Sequence, residues 1–572
     1  MYRSCYPLTA ILHTGAVDEK TRRKIYHSTP SPRALLEVPL GCCRAPLPKG
    51  KAKFAEISPY TYTNQIVATP SPLLWGEEQG EGLGCYYDTP EYLVRDYIQF
   101  LLNGEIVTER HIDPTMTVLQ YLRERRLQTG TKEGCAEGDC GACTVVLGEL
   151  VDGKARTRSV NACILFMGTL DGKEIRTVES LGSPDAPHEI QQLVAEKHGS
   201  QCGFCTPGIV MSLAALQASD IPYTRGNIDE ALAGNLCRCT GYGPIIDAAM
   251  AMKPAATTND NSAKLAALQH TETIKLSANI YGARKQFFDP KTLAELTRLI
   301  TQYPDAILLA GGTDIGLWVT KHHKTLSSII YLGNVEALNT FTETKSEFII
   351  GAGVKYTDAI TKLGKYYPNI ETVMRRIGGA QIRNLGTIGG NIANGSPIGD
   401  MPPLLMAARA KMVLQNTEGE RTIALEDYFI DYGKQDLRTG EFVKSIIVPK
   451  PRARQNYYAY KISKRFQSDI SALCMAMSFD LVGGICTNIC IAYGGMAATP
   501  KRAETAEKML EGKDWSEPNV RRAMNGLTSD FTPIDDMRAT KNYRMQVAQN
   551  LILKAWLEDQ STGSLHVLGA DA

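Results

Sequence analysis

The sequence predicts a multidomain α+β chain, and three observations carry that prediction. Three cysteines stand in one Gly-rich loop, Gly134 to Cys143, with hairpin-like runs before it and a fourth cysteine, Cys163, after it. Two further cysteine pairs, Cys202/Cys205 and Cys237/Cys239, adjoin runs of helical character. Beyond residue 279, two Gly-rich turns interrupt strand and helix patterns. At 572 residues the chain is long enough for three or four ordinary cores.

Composition narrows the function classes. With 62 basic against 61 acidic residues the formal charge is +1, so nothing suggests a nucleic-acid surface. No apolar run reaches the roughly 18–20 residues of a membrane span. Eight of the fifteen cysteines fall in two compact groups, Cys135 to Cys163 and Cys202 to Cys239. That grouping favours metal ligands over a disulfide framework, and a reducing cytoplasm as the compartment.

Residues 1–95 are rich in proline and turn residues and lack sustained hydrophobic period, which predicts a disordered extension. Cys5, Cys42, Cys43 and Cys85 within it read as incidental. A first domain is expected over 96–178. Tyr97 to Leu102 alternates, Asn103-Gly104 makes a type I′ turn, and Glu105 to Thr108 returns. Pro114 to Glu124 reads as a helix with Val118, Leu119 and Leu122 on one face. A strand from Thr144 to Leu147 and a buried run around Cys163 follow.

The C-x4-C-x2-C loop of Cys135, Cys140 and Cys143, with Cys163 as fourth ligand, has the spacing of a plant-type ferredoxin 2Fe-2S site. Gly134, Gly138 and Gly141 are expected to supply positive φ, so that amides turn toward the sulfurs. Zinc is the alternative, although structural zinc usually takes ligands as two short knuckles.

The second set is read over 179–252 as a helical domain. Cys202 and Cys205 lead into a helix with Thr206 as N-cap and Pro207 in its first turn. Asn227 to Glu230 has capping-box spacing, and Gly234 is expected to end that helix. Cys237 and Cys239 follow. Helix-terminal amides should lower thiolate pKa values there. A redox dithiol is the alternative for Cys202/Cys205, but the βαβ context is absent.

Residues 253–278 read as a linker. Then Ala306 to Ala310 is a strand, Gly311-Gly312-Thr313-Asp314 a turn, and Ile315 to Thr320 a helix. Such a turn exposes amides that can hold phosphate, although a Gly-Gly-Thr-Asp turn is common. A second Gly-rich stretch, Ile382 to Asp400, reads as another cradle or as a loop between strands; beside the first it suggests a long diphosphate ligand. From Gln455 strands surround Ser471 to Phe479 and Ile485 to Tyr493, with helices after Pro500 and from Asn542. Cys474, Cys486 and Cys490 read as buried thiols.

The cysteine loop, followed by Gln201-Cys-Gly-Phe-Cys-Thr-Pro-Gly and Gly234-Asn-Leu-Cys-Arg-Cys-Thr-Gly-Tyr, resembles the paired iron–sulfur domains of the molybdenum hydroxylases. Over about residues 96–565 that resemblance implies a plant-type ferredoxin-like β-grasp domain and a helical-bundle 2Fe-2S domain. An α+β FAD-binding domain at 279–452 and a C-terminal α/β flavoprotein domain at 455–565 would follow. It implies two 2Fe-2S clusters on the eight cysteines, with the second cluster nearer molybdenum and Gln201 beside the pterin. It also implies FAD held by Leu309, Gly311, Gly312, Thr313, Asp314, Thr387, Gly390, Asn391, Asn394, Asp400 and Lys461. No catalytic acid, base or nucleophile is expected in this chain.

The domain order most resembles the iron–sulfur/flavin subunits of the xanthine-oxidising branch. A molybdenum-cofactor-binding large subunit in a heterotetramer, a purine oxidised there, and NAD as acceptor are implied; neither nucleic acid nor membrane is. The same module in an aldehyde, carbon monoxide or aromatic-CoA enzyme, or a non-enzymatic zinc-binding assembly module, are the other readings. One departure stands out. Lys464-Arg465-Phe466-Gln467-Ser468-Asp469 carries Gln467 and Ser468 where related sequences often place an acid. The flavin's local charge is thereby left open: either it differs, or a neighbouring acid such as Asp469 sets the field and Gln467 is solvated.

Overall fold

The computed structural model describes residues 94–255, 260–280 and 282–561. The expected extension, with its four incidental cysteines, lies outside the described residues except for its last two. Val94–Arg95 form a strand paired in parallel with Thr273 and Ile274. Arg95 is buried, 2.6 Å from Asp171, and that ion pair draws residue 95 into the folded body.

The first domain is a five-stranded sheet in the order Glu105–Arg110, Tyr97–Leu102, Glu174–Arg176, Thr144–Val151, Lys154–Asn161. Its opening hairpin turns at Asn103 and Gly104, with φ of 55° and 84°, as a type I′ turn requires. The expected helix is shorter than Pro114 to Glu124. Thr117 and Gln120 form a capping box at its start, so the helix opens at Val118 and continues as a π turn over Tyr121–Arg125. Val118, Leu119 and Leu122 are buried as the pattern requires.

The second domain packs helices Glu189–Glu196, Thr206–Gln217, Arg225–Leu232 and Gly243–Met250. The Asn227 capping box is corrected: Thr224 caps, accepting from the Asn227 amide, and Asn227 lies inside the helix. The linker reading is also corrected. Ser262–Ala267 is a helix whose Leu265, with Leu268 just beyond, buries against Leu101 of the first domain. Thr273–Ile280 is already a strand of the next sheet.

That sheet runs Val94–Arg95, Thr273–Ile280, Ala283–Asp289, Ser328–Tyr331, Ile307–Leu309. A second five-stranded sheet orders Phe341–Glu343, Glu347–Gly351, Phe442–Pro449, Lys411–Gln415 and Glu420–Ala424. The Gly-rich stretch before Asp400 is helical, as Ala380–Arg383 and Ile388–Ala393, with Met401–Ala407 following; it is not a loop between strands. The C-terminal unit is an antiparallel sheet from Gln455 to Arg502 covered by Glu504–Leu510, Glu517–Asp530 and Lys541–Gln560. Among the described residues no helix is long and apolar enough to cross a membrane.

What positions the sites is a shared core. Ile98, Phe100, Val145 and Phe166 of the first domain pack in one cluster with Phe287, Leu309, Ile329 and Tyr331 of the next domain. Apolar burial of this kind is close-packed, so the two domains hold a fixed relation. A charge cluster lies beside it. Glu149 accepts from Lys355 at 2.6 Å, and Lys173 stands 3.6 Å from Glu149.

Candidate cofactor sites

Loop backbone makes the first site. Gly138 and Gly141 take φ of 78° and 70°, while Gly134 does not; Ala136 supplies the other left-handed turn, at 54°. Gly134 is needed for space instead, since a Cβ there would lie 2.7 Å from Cys140 Sγ. With the loop so folded, the amides of Glu137 and Cys140 donate to Cys135 Sγ at 3.4 and 3.3 Å. The Cys135 thiol is drawn down to about 5, first by its hydrogen bond with Cys140 and then by these amides, against burial. Cys143 and Cys163 are buried and pair with each other; that contact lowers Cys143 and raises Cys163. Asn161 Nδ2 stands 3.7 Å from Cys143 Sγ, a contact sequence spacing gave no sign of.

The second site lies at the edge of the helical bundle. Cys202 and Cys239 are exposed and pair with each other; Cys205 pairs with the buried Cys237. Tyr242 OH accepts from the Cys237 amide at 3.0 Å, and Thr240 Oγ1 lies 3.2 Å from Cys237 Sγ. The expectation that helix amides lower the thiols fails at Cys205, where burial and the contact with Cys237 push it up to about 12. Gln201 is exposed beside Cys202.

Both sites therefore show two sulfur pairs. Among the described residues no three or more His, Cys, Asp or Glu side chains converge on a single ion position. Two pairs fit a centre of two irons, each taking two thiolates, and the amide-lined loop fits its sulfides.

The candidate flavin residues of the Gly311 turn and of the Thr387–Gly390 segment adjoin one another. Leu309 ends its strand, Gly311 and Gly312 turn, and Asp314 accepts from Trp318 Nε1 at 3.1 Å, with Thr313 beside it. Thr387 caps Ile388–Ala393 by accepting from the Gly390 amide at 2.9 Å. Asn391 Oδ1 accepts from the Met401 amide, and Asn394 is exposed at the helix end. The two Gly-rich segments touch: a Cβ on Gly311 would lie 2.0 Å from the Leu385 carbonyl oxygen. Asp400 and Lys461 stand apart from the turn as a buried ion pair at 2.6 Å, with Ser471 Oγ donating to Asp400 at 2.6 Å. Glycine amides, threonine hydroxyls and asparagine amides are a donor set that fits a pyrophosphate and ribose.

Sequence reading missed the link between the two regions. The helix Ile315–Thr320, which follows the Gly311–Asp314 turn, ends on the first cysteine loop, where Thr320 Oγ1 donates to the Ala136 carbonyl at 2.7 Å and Lys321 Nζ to that of Cys135 at 2.6 Å. The Gln467 loop is likewise anchored. Arg465 lies 3.6 Å from Asp139 of the cysteine loop, and Ser468 Oγ donates to the Ala233 carbonyl at 3.0 Å. Gln467 itself is half-buried.

Family models match in this order: "2Fe-2S iron-sulfur cluster binding domain" at 100–168 and "2Fe-2S binding domain" at 177–250. "FAD binding domain in molybdopterin dehydrogenase" follows at 282–451 and "CO dehydrogenase flavoprotein C-terminal domain" at 458–559. Two 2Fe-2S binding domains and an FAD-binding domain are thus present. A xanthine dehydrogenase of Emericella nidulans is 34% identical over 498 residues, covering 76% of this chain and 36% of that protein. Aldehyde oxidase 2 of Cavia porcellus is 30% identical over 501 residues, covering 76% and 38%. The chain spans little more than a third of the length of these relatives. A solved carbon monoxide dehydrogenase chain from Hydrogenophaga pseudoflava is 29% identical, with a TM-score of 0.45 over 46% of this chain and 93% of that one.

Proposed function

We propose, for a chain that carries the paired 2Fe-2S and FAD-binding domains of the molybdenum hydroxylases, that it is the electron-transfer subunit of such an enzyme, and that the enzyme is a xanthine dehydrogenase. When bound, two clusters and FAD supply redox chemistry between a purine oxidised at molybdenum on a partner large subunit and NAD. A cytoplasmic heterotetramer belongs to the same reading. The chain's own residues hold, orient and shield; none acts as acid, base or nucleophile.

One observation carries the order of the sites. The six-residue helix Ile315–Thr320, about 9 Å long, begins at the candidate pyrophosphate turn and is hydrogen-bonded at its end to the carbonyls of Cys135 and Ala136. This supports a first cysteine set adjoining the flavin cradle, and the exposure of Cys202 and Cys239 supports a second set that faces the partner.

Purification with whatever partner accompanies the chain, followed by iron, molybdenum and flavin analysis, tests this. About four irons and one FAD per chain are expected, with molybdenum in the larger partner and xanthine-dependent NAD reduction. A colourless zinc protein would overturn the reading; oxidation of aldehyde or carbon monoxide with no xanthine activity would move it to another member. Within the chain, Gly390→Val is the sharp variant. Gly390 is exposed, and its added Cβ would meet Thr387 Oγ1 at 2.7 Å, disturbing the cap while sparing the core. FAD retained in full would refute that loop's assignment.

A further inference from the structure

Where the two cysteine domains and the flavin domain meet, four polar side chains are buried together. Thr144 follows Cys143, Ser212 lies on helix Thr206–Gln217, Asn235 precedes Cys237 by two residues, and Gln381 comes from the flavin domain's short helix Ala380–Arg383. Their hydrogen bonds have one consistent direction. Ser212 Oγ donates to Asn235 Oδ1 at 2.6 Å, and Thr144 Oγ1 donates to the Gly141 carbonyl at 2.7 Å. Both hydroxyls then have lone pairs free to accept, and Gln381 Nε2 lies 3.1 Å from Ser212 Oγ, 3.2 Å from Thr144 Oγ1 and 2.9 Å from Asn235 Oδ1. Asn235 Nδ2 donates to the Gly141 carbonyl at 3.1 Å, and the next amide, Leu236, donates to the Cys140 carbonyl at 2.9 Å.

Backbones close to contact surround this knot. A Cβ on Gly141 would lie 2.1 Å from the Gly234 carbonyl oxygen, one on Gly208 2.2 Å from that of Gly141, and one on Gly234 2.0 Å from Gln381 Oε1. Gly379, two residues before Gln381, stands against Gly234 Cα, 2.4 Å from where its Cβ would be. Gln381 Oε1 has no hydrogen-bond partner, so this amide is held as a donor, at the cost of one buried acceptor left bare.

We propose that Gln381 is a positioning residue: the flavin domain's single amide that locks the Cys140–Cys143 loop and the Asn235–Cys237 loop in register, fixing the separation of the two iron–sulfur sites. The donor fork is what matters. An apolar side chain of similar volume would leave Ser212, Thr144 and Asn235 to find other partners, and the loops would be free to shift. Small displacements between redox sites carry large rate penalties, as displaced reacting groups do generally. This inference rests on the reading that both cysteine sets hold 2Fe-2S clusters.

The test uses the full chain purified with its partner. In Gln381→Leu, iron, flavin and near-native circular dichroism should be retained. The magnetic interaction between the two reduced clusters, read as splitting of their low-temperature EPR signals, should change. Electron transfer from the clusters to the flavin after flash reduction should slow by about tenfold. A folded Gln381→Leu with full iron, unaltered splitting and unaltered transfer overturns the inference. Should it not fold, Thr144→Val and Ser212→Ala each remove one of the amide's acceptors; unaltered splitting in both overturns it equally. Wild-type protein without iron would instead overturn the cluster reading itself.

Discussion

The two cysteine sites use the same four-thiolate chemistry in opposite surroundings. In the first, two of the four sulfurs belong to buried residues between a five-stranded sheet and its neighbour's core, and amides of the same loop donate to Cys135. In the second, Cys202 and Cys239 are exposed at the edge of a small helical bundle; backbone amides reach the sulfurs here too, that of Phe204 at Cys202 and those of Cys239 and Thr240 at Cys237, with the Thr240 hydroxyl beside Cys237 Sγ. Burial and hydrogen bonding to sulfur both tune such centres. On the proposed reading, the difference suits the first site, tied to the candidate flavin turn by Thr320 and Lys321, to an internal relay and the second to contact with a partner.

Removing a ligand separates the sites most completely. Cys140→Ser should abolish one EPR signal and Cys237→Ser the other, with iron falling from about four to about two per chain in each case. Loss of both signals from either change, in a folded chain, would break the comparison.

The contact between the sites can be attacked without touching a ligand. Gly141→Val places its Cβ 2.1 Å from the Gly234 carbonyl at a φ of 70°, so both crowding and backbone strain oppose it. A loss above about 4 kcal/mol is expected in chemical denaturation. Gly203→Ala in the second loop, at a φ of 80° with open space around it, should cost only about 1 kcal/mol. Similar losses at the two positions would mean that the buried seam has no energetic weight.

Each site's domain has a carboxylate brace to the flavin domain: Glu149 beside the sheet-side site meets Lys355, and Glu230 of the helical domain meets Arg375 at 2.8 Å and Arg383 at 3.2 Å. Burial opposes ionisation of Glu149, yet Lys355, Lys173 and Arg158 hold its carboxyl well below the usual range. A carboxyl so depressed adds stability above its unfolded value of about 4.3, and that stability is lost as pH falls through the depressed value. Glu149→Gln should therefore cost about 3 kcal/mol at neutral pH, by taking the carboxylate from Lys355 and Lys173. The gap to wild type should close on acidification. A gap independent of pH would show that the carboxylate is not ionised in the folded protein.

How much of this was legible follows from range. The cysteine loops, the Asn103-Gly104 hairpin and the turn at Gly311 are local patterns, and each stands where the residues place it. The Asn227 cap was misread because Thr224, three residues earlier, has equal capping chemistry. The segment 262–268 looked like linker because its only buried apolar residues, Leu265 and Leu268, find their partner more than 160 residues away in Leu101. The helix ends just before Gly234, as read, but Gly234 is not among the positive-φ glycines; it is small because Gln381 stands against it. Nothing in one-dimensional spacing joins Thr144, Ser212, Asn235 and Gln381.

The smallest expected effect concerns Gln467, in the loop that reaches both sites. Arg465 approaches Asp139, which flanks Cys140, while Ser468 holds the carbonyl of Ala233, four residues before Cys237. Asp469 accepts from the Arg465 amide at 2.8 Å, and burial notwithstanding, the backbone amides and Arg465 keep its carboxyl below the usual range. One ionised acid is therefore already in place, and Gln467→Asp adds a second charge to an existing field. At about 8 Å a unit charge is worth about 0.5 kcal/mol in water-like surroundings and about 2 kcal/mol at an effective dielectric near 20. Half-burial of Gln467 puts the effect between these limits, and salt reduces it. Adding negative charge disfavours adding electrons nearby, so the flavin midpoint potential should fall and the ratio of NAD to oxygen reduction should rise. Arg465→Gln, which removes a cation beside Asp139, should lower the midpoint of the first iron–sulfur centre at low salt and leave it unchanged at high salt. Equal shifts of both centres in Arg465→Gln would mean that the loop's field does not distinguish the two sites. An unmoved flavin potential in Gln467→Asp would mean that the amide at this position carries no functional weight.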